Sequence, residues 1–249
     1  MSLPSLAHVR SALPQASIVF AAQRPSREAV LPFLRSQRIE AAEAGADSVR
    51  ETLRASRFEA LILHAPARVY RELLLRRVPI RFGDSSRLWS VPFITSGIWQ
   101  RRSRAEKPEA VYCLELAAAF LRKLGIRSAV PIDPPRLAIP TDDAEAAEAR
   151  AILERLDVRG RFIVVHPGMG GSALNVPEGG YADLLAHLER RYQLPFVFSR
   201  GPAPADHVLV DALRRRCAGS VELPSVGLGV LREILRLAAA VVAPSTGPL

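Results

Sequence analysis

Short apolar runs alternate with segments of helical periodicity through both halves of the chain. The runs have the length and residue types of buried strands, as in residues 16–22, residues 58–65 and "RFIVVHP" at 161–167, and a helical pattern follows each of them. This alternation predicts an α/β fold with mostly parallel sheets and helices on both faces. Only residues 84–107 interrupt the pattern with a long irregular segment, and such segments are commonly functional.

The 249 residues suit two domains of ordinary size. A proline-rich stretch separates two series of alternating elements, so we predict a first domain over residues 1–130, a linker over 131–141 and a second domain over 142–249. Thr141 is expected to cap the first helix of the second domain, whose first turn is acidic.

The net charge of +9 comes almost wholly from arginine, since Lys107 and Lys123 are the only lysines. This charge suits an anionic partner, although a biased composition explains it equally well. The chain lacks aromatic RNA-binding motifs, zinc-finger spacing and basic heptads, so nucleic acid is not an expected partner. No metal-ligand spacing links Cys113 and Cys217, so we predict free thiols and no metal site.

No apolar run approaches the roughly 20 residues of a membrane-spanning helix, and the N-terminus lacks the pattern of a signal peptide. We therefore expect a cytoplasmic protein.

A glycine-rich loop over residues 166–175 directly follows a predicted strand and leads to a helix that begins near Pro177. Glycines at 168, 170 and 171 let a phosphate approach the backbone amides, and the helix dipole favours an anion. A tight turn without a ligand remains an alternative. The Walker A motif is excluded because no lysine follows the last glycine. A dinucleotide pattern is met by Gly168, Gly170 and Ala173, so an NADP-linked oxidoreductase with Arg200 near the cofactor stays a remote possibility.

Three segments of the second half occur in a characteristic order: "VVHPGMGGSALNVPEGGYADLLAHL", "FVFSRGPAPADHVLVDAL" and "LREILRLAAAVVAPSTGPL". Together they resemble the C-terminal domain of the family 9 glycosyltransferases, the ADP-heptose:lipopolysaccharide heptosyltransferases. In the first half, "FEALILH", "RVPIRFG" and "LRKLGI" are similar to the same family more loosely. The resemblance implies a GT-B architecture, in which the parallel sheets of two Rossmann-like domains face a cleft.

The resemblance also implies an activity: inverting, metal-independent transfer of a heptose-like sugar from a nucleotide-sugar donor to an anionic lipopolysaccharide core acceptor. No cofactor is expected, and the protein would work at the inner face of the inner membrane. The second domain would bind the donor and the first the acceptor.

Residues carried over from the family divide into three groups. Gly168, Gly170, Gly171 and Ser172 would face the donor diphosphate, Asp206 would accept hydrogen bonds from ribose hydroxyls, and Ser245, Thr246 and Gly247 would hold a phosphate or the sugar. Basic residues of the irregular segment, the acceptor-side candidates, would meet acceptor phosphates and carboxylates: Arg101, Arg102, Arg104 and Lys107.

The chain departs from the family pattern at several positions. Leu174 and Val176 replace an expected lysine and tryptophan, and Ser245 stands where an acid is common. The family's first strand with its "GD" turn, which bears the proposed catalytic aspartate, would precede Met1, and a histidine would follow Leu249. We therefore expect a fragment that is incomplete at both termini, with an unassigned general base. A non-catalytic nucleotide-binding remnant of the same fold is the main alternative.

Overall fold

The structure, a computed structural model, describes residues 3–63, 78–86, 88–104, 106–130, 137–169 and 175–244. The chain divides into two compact units, Met1–Pro140 and Thr141–Leu249. The helix predicted from Arg68 onwards lies outside the described residues.

The first unit contains parallel strands and helices in alternation. Its elements are α1 (Leu3–Ala12), β1 (Val19–Ala22), α2 (Arg24–Ser36), β2 (Glu40–Glu43), α3 (Ala46–Ala55), β3 (Ala60–Leu63), β4 (Ile80–Asp84), β5 (Ser96–Ile98) and α4 (Glu109–Lys123). In the described part of this unit, β1 pairs with β2, and β3, β4 and β5 form a second parallel sheet in that order. Two short 3₁₀ helices, Leu88–Phe93 and Arg102–Arg104, flank β5.

Helix α4 supplies a large part of the core of the first unit. It buries Leu114, Leu116 and Leu121, and the ring of Phe120 contacts that of Phe82 on β4 edge to face at 5.9 Å between centroids. The helix ends as the sequence predicts, because Gly125 adopts a φ of 80°, where a side chain would be strained.

The second unit is a three-layer α/β structure. Its elements are α5 (Asp143–Arg155), β6 (Ile163–Val165), α6 (Glu178–Tyr192), β7 (Phe196–Phe198), α7 (Pro204–Arg214), β8 (Val221–Glu222), α8 (Leu228–Leu237) and β9 (Ala240–Val242). The four strands among this unit's described residues are parallel in the order β8-β7-β6-β9.

Alternating side chains of the central strands β6 and β7 pack against the helices on opposite faces of the sheet. Val164 and Val197 pack with residues of α5 and α8. Ile163, Val165 and Phe198 pack with residues of α6 and α7 on the opposite face. Because β6 and β7 are covered on both sides, their sequences are continuous apolar runs.

Several sequence predictions are corrected. Asp142, not Thr141, caps α5, and its Oδ1 accepts hydrogen bonds from the amides of Ala144 and Glu145, each at 3.2 Å. The segment 84–107 is not wholly irregular, because it contains β5. Strands β2 and β8 were also missed: β2 reads "EAAE" without a β-branched residue, and β8 has two residues. The α/β fold class and the free, buried state of both cysteines are confirmed.

Within the described ranges, no helix is both long and apolar enough to span a membrane.

Candidate functional site

The loops after β6, β7 and β9 leave the same edge of the second unit's sheet. The His166 amide donates to the Val242 carbonyl at 2.8 Å, and the Ser199 amide donates to the Val165 carbonyl at 3.0 Å. Strand β6 lies between β7 and β9, so these three loops begin side by side. Ligands of parallel sheets bind beyond the carboxyl ends of the strands, which makes this edge the candidate site.

One buried carboxylate ties two of the loops together. Asp206 lies in the first turn of α7 and is only 5% exposed. Its Oδ1 accepts a hydrogen bond from the Met169 amide at 3.3 Å. Gly168 and Gly201 press against the same carboxylate, and a Cβ at Gly168 would stand 2.5 Å from its Cγ. Both positions therefore require glycine because the carboxylate occupies the space of a side chain.

The second oxygen of this carboxylate has no hydrogen-bond partner among the described residues. Asp206 Oδ2 is buried, and leaving such an acceptor unsatisfied costs about 1–3 kcal/mol. Unsatisfied buried polar atoms are rare in folded proteins and often mark a functional group. This unsatisfied oxygen marks Asp206 as a candidate residue of the functional site.

A buried histidine and serine stand beside the aspartate. His166 Nδ1 lies 2.8 Å from Ser199 Oγ, and the two residues directly follow the neighbouring strands β6 and β7. Burial lowers the pKa of His166, and the nearby Asp206 carboxylate opposes that shift only partly. The imidazole is therefore neutral at pH 7. The sequence did not single out either residue as functional, although each is a polar residue immediately after an apolar strand.

Hydrogen bonds fix the residues that flank positions 170–174 of the glycine loop. The Asn175 side-chain amide donates to the Pro167 carbonyl at 2.7 Å. The Tyr181 hydroxyl, on α6, donates to Asn175 Oδ1 at 3.1 Å. Burial raises the pKa of Tyr181, so this hydroxyl remains a donor at neutral pH. These contacts, with the Asp206–Met169 bond, anchor both ends of the loop.

Of the predicted donor-binding residues, the structure brings Gly168 and Asp206 into contact. The others lie outside the described residues: Gly170, Gly171, Ser172, Ser245, Thr246 and Gly247. Their convergence on the site stays a prediction. In the described ranges, no cluster of three or more histidine, cysteine or acidic side chains has the arrangement of a metal site.

Arg200, the residue that suggested an NADP phosphate contact, is engaged by carboxylates. Its guanidinium pairs with Glu222 at the end of β8 and with Asp211 on α7, the latter at 2.6 Å. Arg214 pairs with the same Glu222 at 2.5 Å. These partners raise the pKa of Arg200 and engage its Nε and Nη2 donors, which leaves fewer donors for a 2′-phosphate. The arrangement disfavours the oxidoreductase alternative.

Acid is expected to weaken this arginine–carboxylate cluster. Arg200 lowers the pKa of Glu222 below its ordinary value of 4.5. The cluster's contribution to the free energy of unfolding is therefore complete above the pKa that Glu222 has in the unfolded chain. It is lost as the pH falls through the lower pKa that Glu222 has in the folded protein. Arg200→Gln should lower the free energy of unfolding by about 1–2 kcal/mol at pH 7, and the difference from wild type should shrink below about pH 4.

Denaturant unfolding between pH 3 and 7 measures this difference. Arg159→Gln is a matched control, because Arg159 pairs with Asp157 in an exposed ion pair, and such pairs contribute about 0–1 kcal/mol. A difference between wild type and Arg200→Gln that does not depend on pH would contradict the assignment.

Three of the four acceptor-side candidates are engaged within the first unit. Arg102 pairs with Glu109 and donates to Gln100 Oε1 at 2.8 Å, Arg104 lies 3.7 Å from Glu106, and Lys107 pairs with Glu115. The Glu115 contact raises the pKa of Lys107. Arg101 is exposed, and its guanidinium makes no hydrogen bond or ion pair in the described part of the chain.

Comparison by sequence finds one informative relative. No protein-family model matches the chain. A Haemophilus influenzae protein named "Putative glycosyltransferase" is 34% identical over 158 residues, which cover 60% of this chain and 44% of that protein. The chain thus spans less than half the length of this relative.

Comparison by structure finds glycosyltransferases over almost the entire chain. The family 9 glycosyl transferase from Veillonella parvula superimposes with a TM-score of 0.74 at 17% identity, covering 98% of this chain and 71% of that one. E. coli ADP-heptose lps heptosyltransferase II superimposes with a TM-score of 0.69 at 16% identity, covering 98% of this chain and 74% of that one. E. coli heptosyltransferase WaaC with ADP superimposes with a TM-score of 0.67 at 17% identity, covering 98% of this chain and 76% of that one.

At these identities the structural likeness shows the fold. The α/β fold with parallel sheets expected from the sequence is therefore confirmed, and it matches that of GT-B glycosyltransferase structures. The sequence relative carries the name of a glycosyltransferase, and the structural neighbours include members of family 9.

Proposed function

We propose that the chain belongs to a glycosyltransferase that moves a heptose-like sugar from a nucleotide-sugar donor, of the ADP-heptose type, to an anionic lipopolysaccharide core acceptor. The fold and the similarity to a named glycosyltransferase support this assignment. The structures of E. coli heptosyltransferase WaaC were solved with ADP and with ADP-2-deoxy-2-fluoro heptose. In this chain, the observation that carries the proposal is the Asp206 carboxylate beneath the glycine loop at the strand ends.

The donor is proposed to bind at this edge of the second unit. Asp206 Oδ2 accepts no hydrogen bond from the described residues, which suits a contact with a ribose or sugar hydroxyl. Backbone amides of the glycine loop and of residues 245–247 would hold the diphosphate, as exposed amides near helix starts commonly do. Gly170, Gly171, Ser172, Ser245, Thr246 and Gly247 remain proposed contacts on this ground.

The proposed reaction is a single inverting displacement. The oxygen of an acceptor hydroxyl attacks the anomeric carbon, and the bond between that carbon and the diphosphate oxygen breaks. The nucleoside diphosphate leaves with the bonding electron pair, and a general base receives the hydroxyl proton. Amides and basic groups around the diphosphate would stabilise the charge of the leaving group. No described residue is assigned as the base.

The acceptor is proposed to bind to the first unit, where Arg101, Arg102, Arg104 and Lys107 follow β5. The net charge of +9 suits an anionic acceptor and a peripheral position at the inner membrane surface. In this proposal, the domain over residues 1–130 binds the acceptor and the domain over residues 142–249 binds the donor. Residues 131–141 form the linker between them.

Calorimetric titration with ADP tests the donor site. We expect saturable ADP binding, and Asp206→Ala should weaken it about tenfold or more, which corresponds to about 1.4 kcal/mol or the loss of one charge-assisted hydrogen bond. Asp183→Ala is the control, since Asp183 is an exposed acid on α6. NADP binding without ADP binding would favour the oxidoreductase, and binding of neither would refute the proposal.

A further inference from the structure

A tryptophan and an arginine stand exposed directly after β5. Trp99 is 62% exposed, although tryptophan usually buries most of its surface. Exposure alternates from residue 97 to residue 102, with Gly97, Trp99 and Arg101 outward and the residues between them inward. An extended chain places every second side chain on one face. Trp99 and Arg101 therefore share a face and start about 7 Å apart along the backbone.

The residue between them is locked into the unit. Gln100 is buried, and its side-chain amide donates to the Tyr112 carbonyl on α4 at 2.8 Å. Its Oε1 accepts two hydrogen bonds from Arg102, and its backbone amide donates to Asp84 Oδ1 at 3.4 Å. This anchoring holds the backbone of the Trp99–Arg101 segment against α4 and the end of β4, so the outward face is preorganised.

Charge distinguishes Arg101 from the other acceptor-side candidates. Carboxylates compensate Arg102, Arg104 and Lys107. The Arg101 guanidinium is uncompensated in the described part of the unit, and Arg101 follows the exposed Trp99 by two positions on the same face. The pair thus combines an apolar aromatic face with a planar cation.

We propose that Trp99 and Arg101 form the subsite that holds a phosphorylated sugar ring of the acceptor. The inference rests on the glycosyltransferase function proposed above. The negative face of the indole attracts the weakly positive C–H groups on one side of a sugar ring. The guanidinium presents paired N–H donors that match a phosphate. A phosphorylated sugar offers both groups, the ring for Trp99 and the phosphate for Arg101. The distance between a sugar ring and its phosphate substituent suits the spacing of the two residues.

Titration of the full chain with a phosphate-bearing lipopolysaccharide core oligosaccharide tests the subsite. Arg101→Gln should raise the dissociation constant about tenfold, as expected for the loss of one charge-assisted contact, and should have no effect on the phosphatase-treated oligosaccharide. Trp99→Ala should weaken binding of both oligosaccharides, and Trp99→Phe should retain most of it. Arg127→Gln, at an exposed arginine of the same unit, should stay within about twofold of wild type.

Parallel measurements separate the possible failures. ADP binding should be unchanged in every variant, because the altered residues lie in the first unit. If wild type binds no ADP, the proposed function itself fails. If wild type binds ADP while Trp99→Ala and Arg101→Gln leave oligosaccharide affinity unchanged, only the subsite is refuted. Binding to phosphatidylglycerol vesicles without oligosaccharide binding, or self-association abolished by Trp99→Ala, would refute it in favour of a membrane or protein contact.

Discussion

Gly168→Ala is expected to weaken ADP binding about tenfold and to lower the free energy of unfolding by about 1–3 kcal/mol. The added Cβ would stand 2.5 Å from Asp206 Cγ, closer than real atoms approach. Asp206 is buried and holds the Met169 amide, so relieving the clash must displace the glycine loop. Gly168 does not adopt a positive φ, so the penalty is steric and not conformational. Calorimetric titration and denaturant unfolding measure the two effects.

A double-mutant cycle identifies Asp206 as the cause. Asp206→Ala removes the carboxylate that the new Cβ would strike, so Gly168→Ala should cost less in that background, with a coupling energy of about 0.5–3 kcal/mol. Gly179→Ala is the matched control, because nothing lies within 4 Å of its added Cβ and it sits in helix α6, where alanine is favoured. Equal costs of Gly168→Ala in both backgrounds would show that the loop does not depend on the carboxylate.

Arg232→Ala is expected to destabilise the second unit by about 3 kcal/mol. Arg232 links the carboxylate of Glu145 on α5 at 2.6 Å to that of Glu233 on α8 at 2.8 Å. Glu233 is only 2% exposed, and removing the partner of a buried charge is far more costly than removing an exposed one. Denaturant unfolding measures the loss.

Arg236→Ala is the matched control that tests how the burial of the arginine affects stability. Arg236 pairs with the same Glu233 at 3.2 Å, but its side chain is 41% exposed. Its removal should cost about 1 kcal/mol or less. Similar losses for the two variants would mean that the Glu233 carboxylate is stabilised by something other than Arg232.

The alternation of apolar runs and helical segments was sufficient to predict the α/β class, because β6, β7 and α4 each carry a strong local pattern. Strand β2 could not be predicted in this way. Its sequence "EAAE" has no strand propensity, and it is a strand because its backbone pairs with β1 in register. The cap of α5 was misplaced by one residue, since Thr141 and Asp142 are both good capping residues and only backbone geometry chooses between them.

For the candidate site, the sequence alone predicted which loops lie together. Residues that follow apolar strands of a parallel sheet must emerge at one edge, so Gly168 and Asp206 were predictable as neighbours. Only the tertiary structure decided how each polar group is used. Asp206 is buried under two glycines, His166 contacts Ser199, and Arg200 and Arg102 pair with acids on other secondary-structure elements. The physical reason is that hydrogen bonds and ion pairs act over a few ångströms in space, and strand pairing and helix packing set those distances, whereas local sequence sets only the elements that are brought together.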